Sequence, residues 1–403
     1  MKSARRRVGL RVRGTVGVMS VCALLLAGLT APGCSESETG GSPDRDGAAV
    51  GRADTGPGAP EADMGAARDG VPARDAAQGV ESDATGGVTP DVGGGARDAD
   101  VIADRGPRPA MCALEQVEPL RIYHIGHSLT DRMADLLNFM VEAHTGQEIQ
   151  YAYKSIPGCN LWFHWENPTD GAKGNMMNPD AIDLLRTGNF DALSLTENTG
   201  IDALLNHEIR GSKTHANLWV DALLNHTNRP NPRVFIYSTW WARNEHGADT
   251  PETVEAFLTR TLERQPAWEE LAQAVREAHP DTPVQIVPGG LVLTALQERV
   301  LDGTLVLPNG QTYRETFFKL HRDGCMVRDY IHLSQTGIYA IALAHYAVIY
   351  QTCPIGMPST VPYRGYRDQC IRDDSVEVEP ALARAIQETV WDVVRGYPWA
   401  GIR

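Results

Sequence analysis

The chain has 403 residues, a length that allows one or two domains. It carries 37 Lys and Arg against 51 Asp and Glu, a formal net charge of −14, and this acidic balance argues against a nucleic-acid-binding protein, whose phosphate contacts need clustered basic residues. No apolar run reaches the roughly 18 residues of a membrane-spanning helix, which excludes a polytopic membrane protein.

The first 34 residues have the pattern of an export signal. Residues 2–13 contain six basic and no acidic side chains, and residues 15–30 form a short apolar stretch, the order found in secretory signal peptides. Residues 31–34 read Ala-Pro-Gly-Cys, which resembles a bacterial lipobox, although its first two residues depart from the usual ones. We therefore expect an exported, membrane-anchored lipoprotein of the bacterial cell envelope, acylated at Cys34, with plain secretion as the alternative.

Residues 35–110 differ sharply from the rest of the chain. They are mostly Gly, Ala, Asp, Pro, Ser and Thr with scattered Arg, and apolar residues recur at neither a helical nor a strand period. Such a segment cannot bury enough surface to offset its ordering entropy. We expect a disordered acidic spacer that holds a domain away from a membrane surface, with residues 111–403 as that domain.

From about residue 111 onward, short β-rich runs alternate with amphipathic stretches. The predicted strands are 120–125, 149–153, 191–196, 233–239 and 284–287, and the predicted helices are 133–144, 212–226, 251–279, 291–301, 335–351 and 379–396. Strands separated by helices form right-handed crossovers, which give a parallel sheet covered by helices on both faces. We therefore predict an α/β fold with a mainly parallel five-stranded sheet and a ligand site at the carboxyl ends of its strands.

The residues after the first predicted strand place a serine where a nucleophile could act. Gly126-His127-Ser128 follows the strand and precedes a helix, the position at which an α/β fold exposes a hydroxyl near a helix N-terminus. The alternative is that Ser128 only caps that helix. We take His127 as a pocket or packing residue, because adjacent side chains that leave a strand point to opposite faces.

A second candidate segment lies far downstream and contains an acid and a histidine. Asp329 and His332 are three residues apart, so the carboxylate can hold one imidazole nitrogen while the other takes a proton from a serine. Two alternatives are a simple cap of the following helix and a metal site. For a metal, no third ligand stands at a recognisable spacing, and we expect neither a metal nor an organic cofactor.

Two further strand ends carry residues that an oxyanion pocket would need. Gly158 follows the second strand and would let a backbone N–H approach a ligand closely. Asn198 follows the third strand, and one good amide donor to a developing oxyanion is worth about 3–4 kcal/mol. Taken singly, each is more readily explained as a turn residue. We take the neighbouring Glu197 as a solvated or structural carboxylate and not as a general acid.

Together, these four segments resemble the SGNH (GDSL-like) hydrolase family. The resemblance lies in Gly126-His127-Ser128, Gly158, Asn198 and Asp329-x-x-His332, with His127 in place of the usual acid and Thr196 in place of a Gly. It implies a three-layer α/β/α sandwich of the flavodoxin-like type and Ser128 as the nucleophile, with His332 as its base and Asp329 orienting that base. It also implies an oxyanion hole formed by the N–H groups of Ser128 and Gly158 and by the Asn198 side chain.

Aromatic residues cluster after two strand ends and suggest a sizeable pocket. They are Trp162, Phe163, His164, Trp165, Trp240 and Trp241. They could form a platform for a sugar ring or an acyl group, or they could pack in the core or in a lid. We predict a serine esterase for short acyl groups such as acetyl, carried on a carbohydrate or another small molecule. The alternatives are a lipase or thioesterase for longer acyl chains, and a surface-tethered carbohydrate-binding protein with an inactive hydrolase fold.

The seven cysteines fit an oxidising compartment. Beyond the signal region with Cys22 and Cys34, the remaining ones are Cys112, Cys159, Cys325, Cys353 and Cys370. Cys353 and Cys370 flank a Pro-rich loop and form the best candidate pair. If the site assembles as expected, a Cys159–Cys325 disulfide would brace the oxyanion glycine against the acid–base turn. Cys112 would then stay unpaired.

Overall fold

The structure is a computed structural model that describes residues 112, 114–169, 172–174, 180–242, 250–318, 331–364 and 374–402. The predicted export signal, Cys34 and the predicted spacer lie outside the described residues. Within the described ranges, no helix is both long enough and apolar enough to cross a membrane.

The described residues form a central sheet and a separate small hairpin. The sheet strands are β1 (Ile122–Gly126), β2 (Ala152–Ser155), β3 (Ala172–Gly174), β4 (Ala192–Leu195), β5 (Arg233–Ser238) and β6 (Val284–Pro288), and the hairpin consists of β7 (Thr360–Pro362) and β8 (Ser375–Glu377). The sheet order is β3-β2-β1-β4-β5-β6. Neighbouring strands are parallel except β3, which runs antiparallel to β2. The predicted mainly parallel five-stranded sheet is confirmed, and β3 adds an antiparallel edge strand.

Helices connect the strands and cover the sheet. They are α1 (Ser128–Thr145), α2 (Leu161–Glu166), α3 (Ala181–Arg186), α4 (Ile201–Leu204), α5 (Ser212–His226), α6 (Pro251–Ala278), α7 (Gly289–Leu301), α8 (Tyr313–Phe317), α9 (Gln335–Tyr350) and α10 (Pro380–Gly396). Among these helices, α9 packs against α1, α7 and α10, and α5 packs against α2, α3 and α6. On β1, His124 faces His345 of α9, and the adjacent Tyr123 stacks on Phe190. Because neighbouring residues of a strand point to opposite faces, both faces of the sheet are covered.

The centre of the sheet is formed by apolar strands that are buried on both faces. All five residues of β1 and all four of β4 are buried, as expected for strands in the middle of a parallel sheet. In register, Ile125 of β1 pairs with Lys154 of β2 and with Leu195 of β4. This register aligns the carboxyl ends of the three strands at one edge, where the loops that follow them meet.

The first helix begins five residues earlier than its predicted start. The sequence pattern indicated a helix from residue 133, because Thr130, Asp131 and Arg132 interrupt the apolar periodicity. In the structure these three polar side chains are nevertheless buried, and α1 starts at Ser128. The other predicted helices begin and end within two residues of the observed ones. The first turn of α1 is thus part of the interior beside the strand ends.

Candidate active site

The structure brings Ser128 and His332 into direct contact, although 204 positions separate them in the chain. The Nε2 atom of His332 lies 2.6 Å from the Oγ atom of Ser128. Ser128 is the first residue of α1, which directly follows β1. A hydroxyl at this distance from an imidazole nitrogen has the geometry of a nucleophile and its general base.

The strand-to-helix turn before Ser128 requires a glycine. A Cβ atom at Gly126 would lie 2.7 Å from the Cβ atom of Thr196 and would also collide with the Thr130 hydroxyl. Thr196 belongs to the chain that leaves β4, so the two strand ends approach closely here. The absence of a side chain at Gly126 therefore lets α1 begin immediately after the strand.

The turn that carries His332 is held by contacts on both sides. The indole Nε1 of Trp240 donates to the backbone oxygen of Ile331 at 2.9 Å. On the other side, Leu333 forms a β-bridge with Phe318, and Ser334 caps α9 by accepting from the N–H of Gly337. The imidazole is therefore placed by a fixed backbone and not by a free loop end. Asp329, predicted to orient His332, lies outside the described residues, so its role stays a prediction.

His127 is used in the interior of the protein. Its Nδ1 accepts from the N–H of Leu129 at 3.5 Å and its Nε2 donates to the backbone oxygen of Glu197 at 3.1 Å. Burial lowers the pKa of His127 to about 4, so the ring is neutral at neutral pH. The side chain is 3% exposed and is not part of the pocket wall beside Ser128. His127 therefore packs in the interior and caps α1. Of the pocket and packing roles considered for it, the structure shows the packing role.

The two predicted oxyanion residues contact each other. Gly158 has a φ of +68°, a left-handed conformation that favours glycine. Its backbone oxygen accepts from Nδ2 of Asn198 at 2.5 Å, and Oδ1 of Asn198 accepts from the N–H of Gly200 at 2.9 Å. An asparagine amide carries two N–H groups. One is used on Gly158, which leaves the second to donate elsewhere.

Glu197 is a fully buried carboxyl group, with 0% exposure. Its Oε1 accepts from the N–H of Asn198 at 2.6 Å and from the N–H of Leu161 at 3.4 Å. Burial raises the pKa of Glu197 to about 7, and hydrogen bonds from Asn198, Ser212 and Leu161 partly oppose that rise. Of the two environments considered for it, the structural one is observed and the solvated one is not.

Ser128 and His332 open onto a small pocket with mostly apolar walls. The pocket encloses about 330 Å³ of empty space, part of which is open to solvent. Its walls include Leu129, Met133, Trp240, Leu333, Ile338 and Ile341, together with the charged Arg132. Sequence reasoning missed the wall residues on α1 and α9. A signal was present on α1 for Arg132, because a residue four positions after Ser128 shares its helix face.

Of the four tryptophans predicted to line the pocket, the structure places one there. Trp240 lines it, at 2% exposure. The other three have different contacts: Trp162 lies 4.7 Å from the Arg210 guanidinium, Trp165 packs edge-on against Trp219, and Trp241 lies 3.7 Å from the Arg264 guanidinium. None of these three belongs to the wall of this pocket, because each packs against residues of α5, α6 or the loop before α5.

Three described cysteines are disulfide-bonded, namely Cys112, Cys159 and Cys353. The prediction that Cys112 stays unpaired is therefore wrong. It assumed that Cys112 belongs to the spacer, but Leu114, two residues later, packs against the core. Cys325 and Cys370 lie outside the described residues, so the pairings Cys159–Cys325 and Cys353–Cys370 stay predictions. Among the residues that the structure describes, no group of three His, Cys, Asp or Glu side chains is placed to hold a metal ion.

No protein-family model and no curated protein matches this chain. Among solved structures, the chain is similar to a DUF4886 family protein from Bacteroides uniformis, with 15% identity, 69% of this chain and 95% of that chain covered, and a TM-score of 0.43. It is also similar to the acetyl xylan esterase AlAXEase (9% identity, 57% and 100% covered, TM-score 0.34). A variant of an acetyl xylan esterase from Geobacillus stearothermophilus is a third (12% identity, 59% and 95% covered, TM-score 0.35). At these values the likeness is one of partial shape, and no function is carried over from it.

Proposed function

We propose that the protein is a serine esterase of the SGNH (GDSL-like) type. The observation that carries this proposal is the 2.6 Å contact between Nε2 of His332 and Oγ of Ser128. A serine that only capped α1 would have no need of an imidazole at its hydroxyl. The position of Ser128 at the N-terminus of an 18-residue helix adds a second support, because the helix dipole and free N–H groups there stabilise negative charge.

In the proposed reaction, His332 takes the hydroxyl proton as Oγ of Ser128 forms a bond to the ester carbonyl carbon. The carbonyl electron pair moves onto oxygen, where the N–H groups of Ser128 and Gly158 and the free N–H of Asn198 stabilise it. Collapse expels the alcohol, which receives the proton from His332. Water then gives a proton to His332 and attacks the acyl-enzyme, releasing the acid and regenerating Ser128. Asp329 holds the ring of His332, and the reaction requires neither metal nor organic cofactor.

The pocket supports a short acyl group as the substrate. Apolar side chains line its walls beside the charged Arg132 and close to Ser128, and the indole of Trp240 is fixed by its bond to the Ile331 oxygen. An acetyl group fits such a space, and in this proposal a longer acyl chain gains fewer contacts because it would extend toward the solvent-open part of the pocket. The alcohol part of the ester is a carbohydrate or another small molecule in this proposal. Export through residues 1–34, with attachment to a membrane by acylated Cys34, places the enzyme in the bacterial envelope.

A fluorophosphonate probe tests the proposal directly. Such probes phosphonylate activated serines, so we expect stoichiometric labelling that peptide mass spectrometry maps to Ser128. Ser128→Ala should abolish labelling and His332→Ala should slow it strongly, because the base is removed. The matched control is Ser375→Ala, which removes a hydroxyl of β8 that donates to Glu377 outside the pocket wall and should keep the label at position 128. Labelling at another residue, or equal labelling of Ser128→Ala, would overturn the proposal.

Acyl-chain preference should depend on Trp240. With p-nitrophenyl acetate, butyrate and octanoate, we expect kcat/KM of the unmodified protein to fall as the chain lengthens. Trp240→Leu enlarges the pocket and should raise the octanoate-to-acetate ratio of kcat/KM by about 10-fold or more, since one methylene in an apolar pocket is worth 10–200-fold. Trp241→Leu, at the neighbouring position outside the pocket wall, should leave the ratio unchanged. An equal ratio in the two variants would remove Trp240 from the acyl pocket.

A further inference from the structure

Two loops at the carboxyl edge of the sheet converge on Glu197, which itself lies in the loop after β4. The loop after β1 reaches it through His127, whose Nε2 donates to the Glu197 backbone oxygen. The loop after β2 reaches it through the N–H of Leu161, and within its own loop the N–H of Asn198 donates to its side chain. Glu197 is the residue that these three hydrogen bonds share. Each of these loops carries one of the proposed oxyanion groups, at Ser128, Gly158 and Asn198.

We propose that Glu197 is a positioning residue whose side chain holds the oxyanion groups at Gly158 and Asn198 in place relative to each other. This inference rests on the proposed esterase function. It assigns a task to a carboxyl group that takes no part in the proton transfers of that reaction. The Glu197 side chain accepts hydrogen bonds from Asn198, from the chain that carries Gly158 and from Ser212 at the start of α5, so it acts through these groups and not on the reacting atoms.

The side chain of Glu197 fixes Asn198 by its backbone. The contact from the Asn198 N–H to Oε1 is 2.6 Å, which is short for an N–H···O hydrogen bond. With the backbone of Asn198 held, its amide reaches the Gly158 oxygen at 2.5 Å. The same amide therefore has a defined direction for its second N–H. Loss of the carboxyl would free the backbone of Asn198 and misdirect that donor.

The same oxygen of Glu197 also holds the start of α2. Oε1 accepts from Leu161 N–H at 3.4 Å, and Leu161 is the first residue of α2, three positions after Gly158. Because Gly158 lies in a left-handed turn, the orientation of its N–H depends on where the chain after it is anchored. One carboxyl oxygen thus restrains both sides of the Gly158–Asn198 contact.

Burial makes this arrangement costly to lose. The Glu197 carboxyl is 0% exposed, and a polar group buried in this way depends on its hydrogen bonds for its stability in the interior. Without Glu197, the N–H groups of Leu161 and Asn198 would lack their acceptor in the interior. Glutamine supplies an oxygen at the same place, so it can accept both N–H bonds. Aspartate keeps the charge but is one methylene shorter, so it cannot reach both.

The test compares Glu197→Ala, Glu197→Asp and Glu197→Gln on p-nitrophenyl acetate, with active sites counted by the fluorophosphonate probe. We expect kcat to fall about 100-fold in the Ala and Asp variants, the low end of the loss seen when one oxyanion donor is removed, with KM changed less than about threefold. Glu197→Gln should restore kcat to within about threefold. A merely structural role would lower the folded fraction and leave kcat per active site unchanged.

A double variant tests whether Glu197 acts through Asn198. Asn198→Ala should lower kcat about 100-fold alone, and Glu197→Ala added to it should lower kcat only a few-fold further. The matched control is Glu379→Ala, which removes a carboxylate that accepts from two backbone N–H groups at the start of α10, at 3.0 and 2.8 Å. This control should keep kcat, because α10 carries no proposed catalytic group.

The outcomes separate the inference from the proposed function. If Ser128→Ala retains full activity, the esterase proposal fails whatever Glu197 does. If Ser128→Ala is inactive while Glu197→Ala and Glu197→Asp keep kcat per active site, only the positioning role fails. If Glu197→Ala does not fold, Glu197→Asp decides between the same two outcomes. The positioning role would also fail if the loss of kcat in the double variant equalled the product of the losses in the two single variants.

Discussion

The Ser128→Ala variant is expected to hydrolyse an ester about 10⁶-fold more slowly than the unmodified protein, the scale of loss when a serine hydrolase loses its nucleophile. The physical reason is that, in the proposed reaction, the bond to the substrate forms at the Ser128 oxygen, which lies 2.6 Å from Nε2 of His332. KM should change little, since the hydroxyl adds little to ground-state binding. The thermal midpoint should stay close to that of the unmodified protein, because the side chain is small and only part-buried.

His332→Ala should cost nearly as much, and the double variant should cost no more than either single one. Nucleophile and base act as one unit, so removing the second after the first has nothing left to disable. Initial rates with p-nitrophenyl acetate at saturating substrate measure all three variants. His207→Ala, on an exposed histidine outside the site, is the control and should keep full activity. Losses that multiply in the double variant would mean that the two residues work independently.

The sheet and the long helices could be predicted because their signals are local and long. The strands β1, β4, β5 and β6 are apolar runs bounded by turn residues, and helices such as α5 and α9 repeat apolar residues at helical spacing. The antiparallel strand Ala172–Gly174 was missed because three residues show no period. The start of α1 was missed because buried polar residues break the apolar pattern there, and burial of Thr130 or Arg132 depends on tertiary contacts that the sequence does not display.

The candidate site also has a part that the sequence indicates and a part that it does not. Ser128 and His332 stand in short motifs whose residue types indicate a nucleophile and a base, so the contact that the structure shows between them could be expected from the sequence. The pocket wall could not, because Met133, Ile338 and Ile341 have the same composition as core residues of α1 and α9. Which apolar side chains face an empty space depends on how two helices meet, and that is decided by packing across the whole fold.

Glu197 is the clearest example of a residue whose environment could not be predicted from the sequence. In the sequence it is one acid beside a turn asparagine, and most such carboxylates are solvated. Its burial follows from the approach of three loops that are separated by tens of residues along the chain. The tryptophans were misplaced for a related reason: an aromatic cluster indicates apolar contacts, but Trp162 and Trp241 find them under arginine side chains and not at the pocket.

Acid should unfold this protein steeply, because four histidines are buried in their neutral form. Burial lowers the pKa of His124 and His164 to about 3, and that of His127 and His345 to about 4, from an ordinary value of 6.5. Because the pKa of each ring is lower in the folded chain, the unfolded chain binds protons between the two pKa values that the folded chain does not bind. The stability from these groups is therefore fully present above pH 6.5 and is lost as the pH falls toward 4.

Glu197 opposes this trend over part of the range. Its folded-state pKa is raised from 4.5 to about 7, so between these values the folded chain holds one proton that the unfolded chain has released. Four protons taken up by the unfolded chain against one held by the folded chain leave a net difference of about three. Between pH 4.5 and 6.5, the free energy of unfolding should thus fall by about 4 kcal/mol for each pH unit of acidification.

Urea denaturation at a series of pH values measures this slope, and His124→Phe tests its source. Neither ring nitrogen of His124 has a hydrogen-bond partner among the described residues, so phenylalanine removes a titrating group without removing a bond. The slope should then correspond to about two protons and not three. The control is His207→Gln, at an exposed side chain outside the buried core, for which we expect the slope of the unmodified protein. A stability that rises on acidification through this window would show that the buried rings do not govern it.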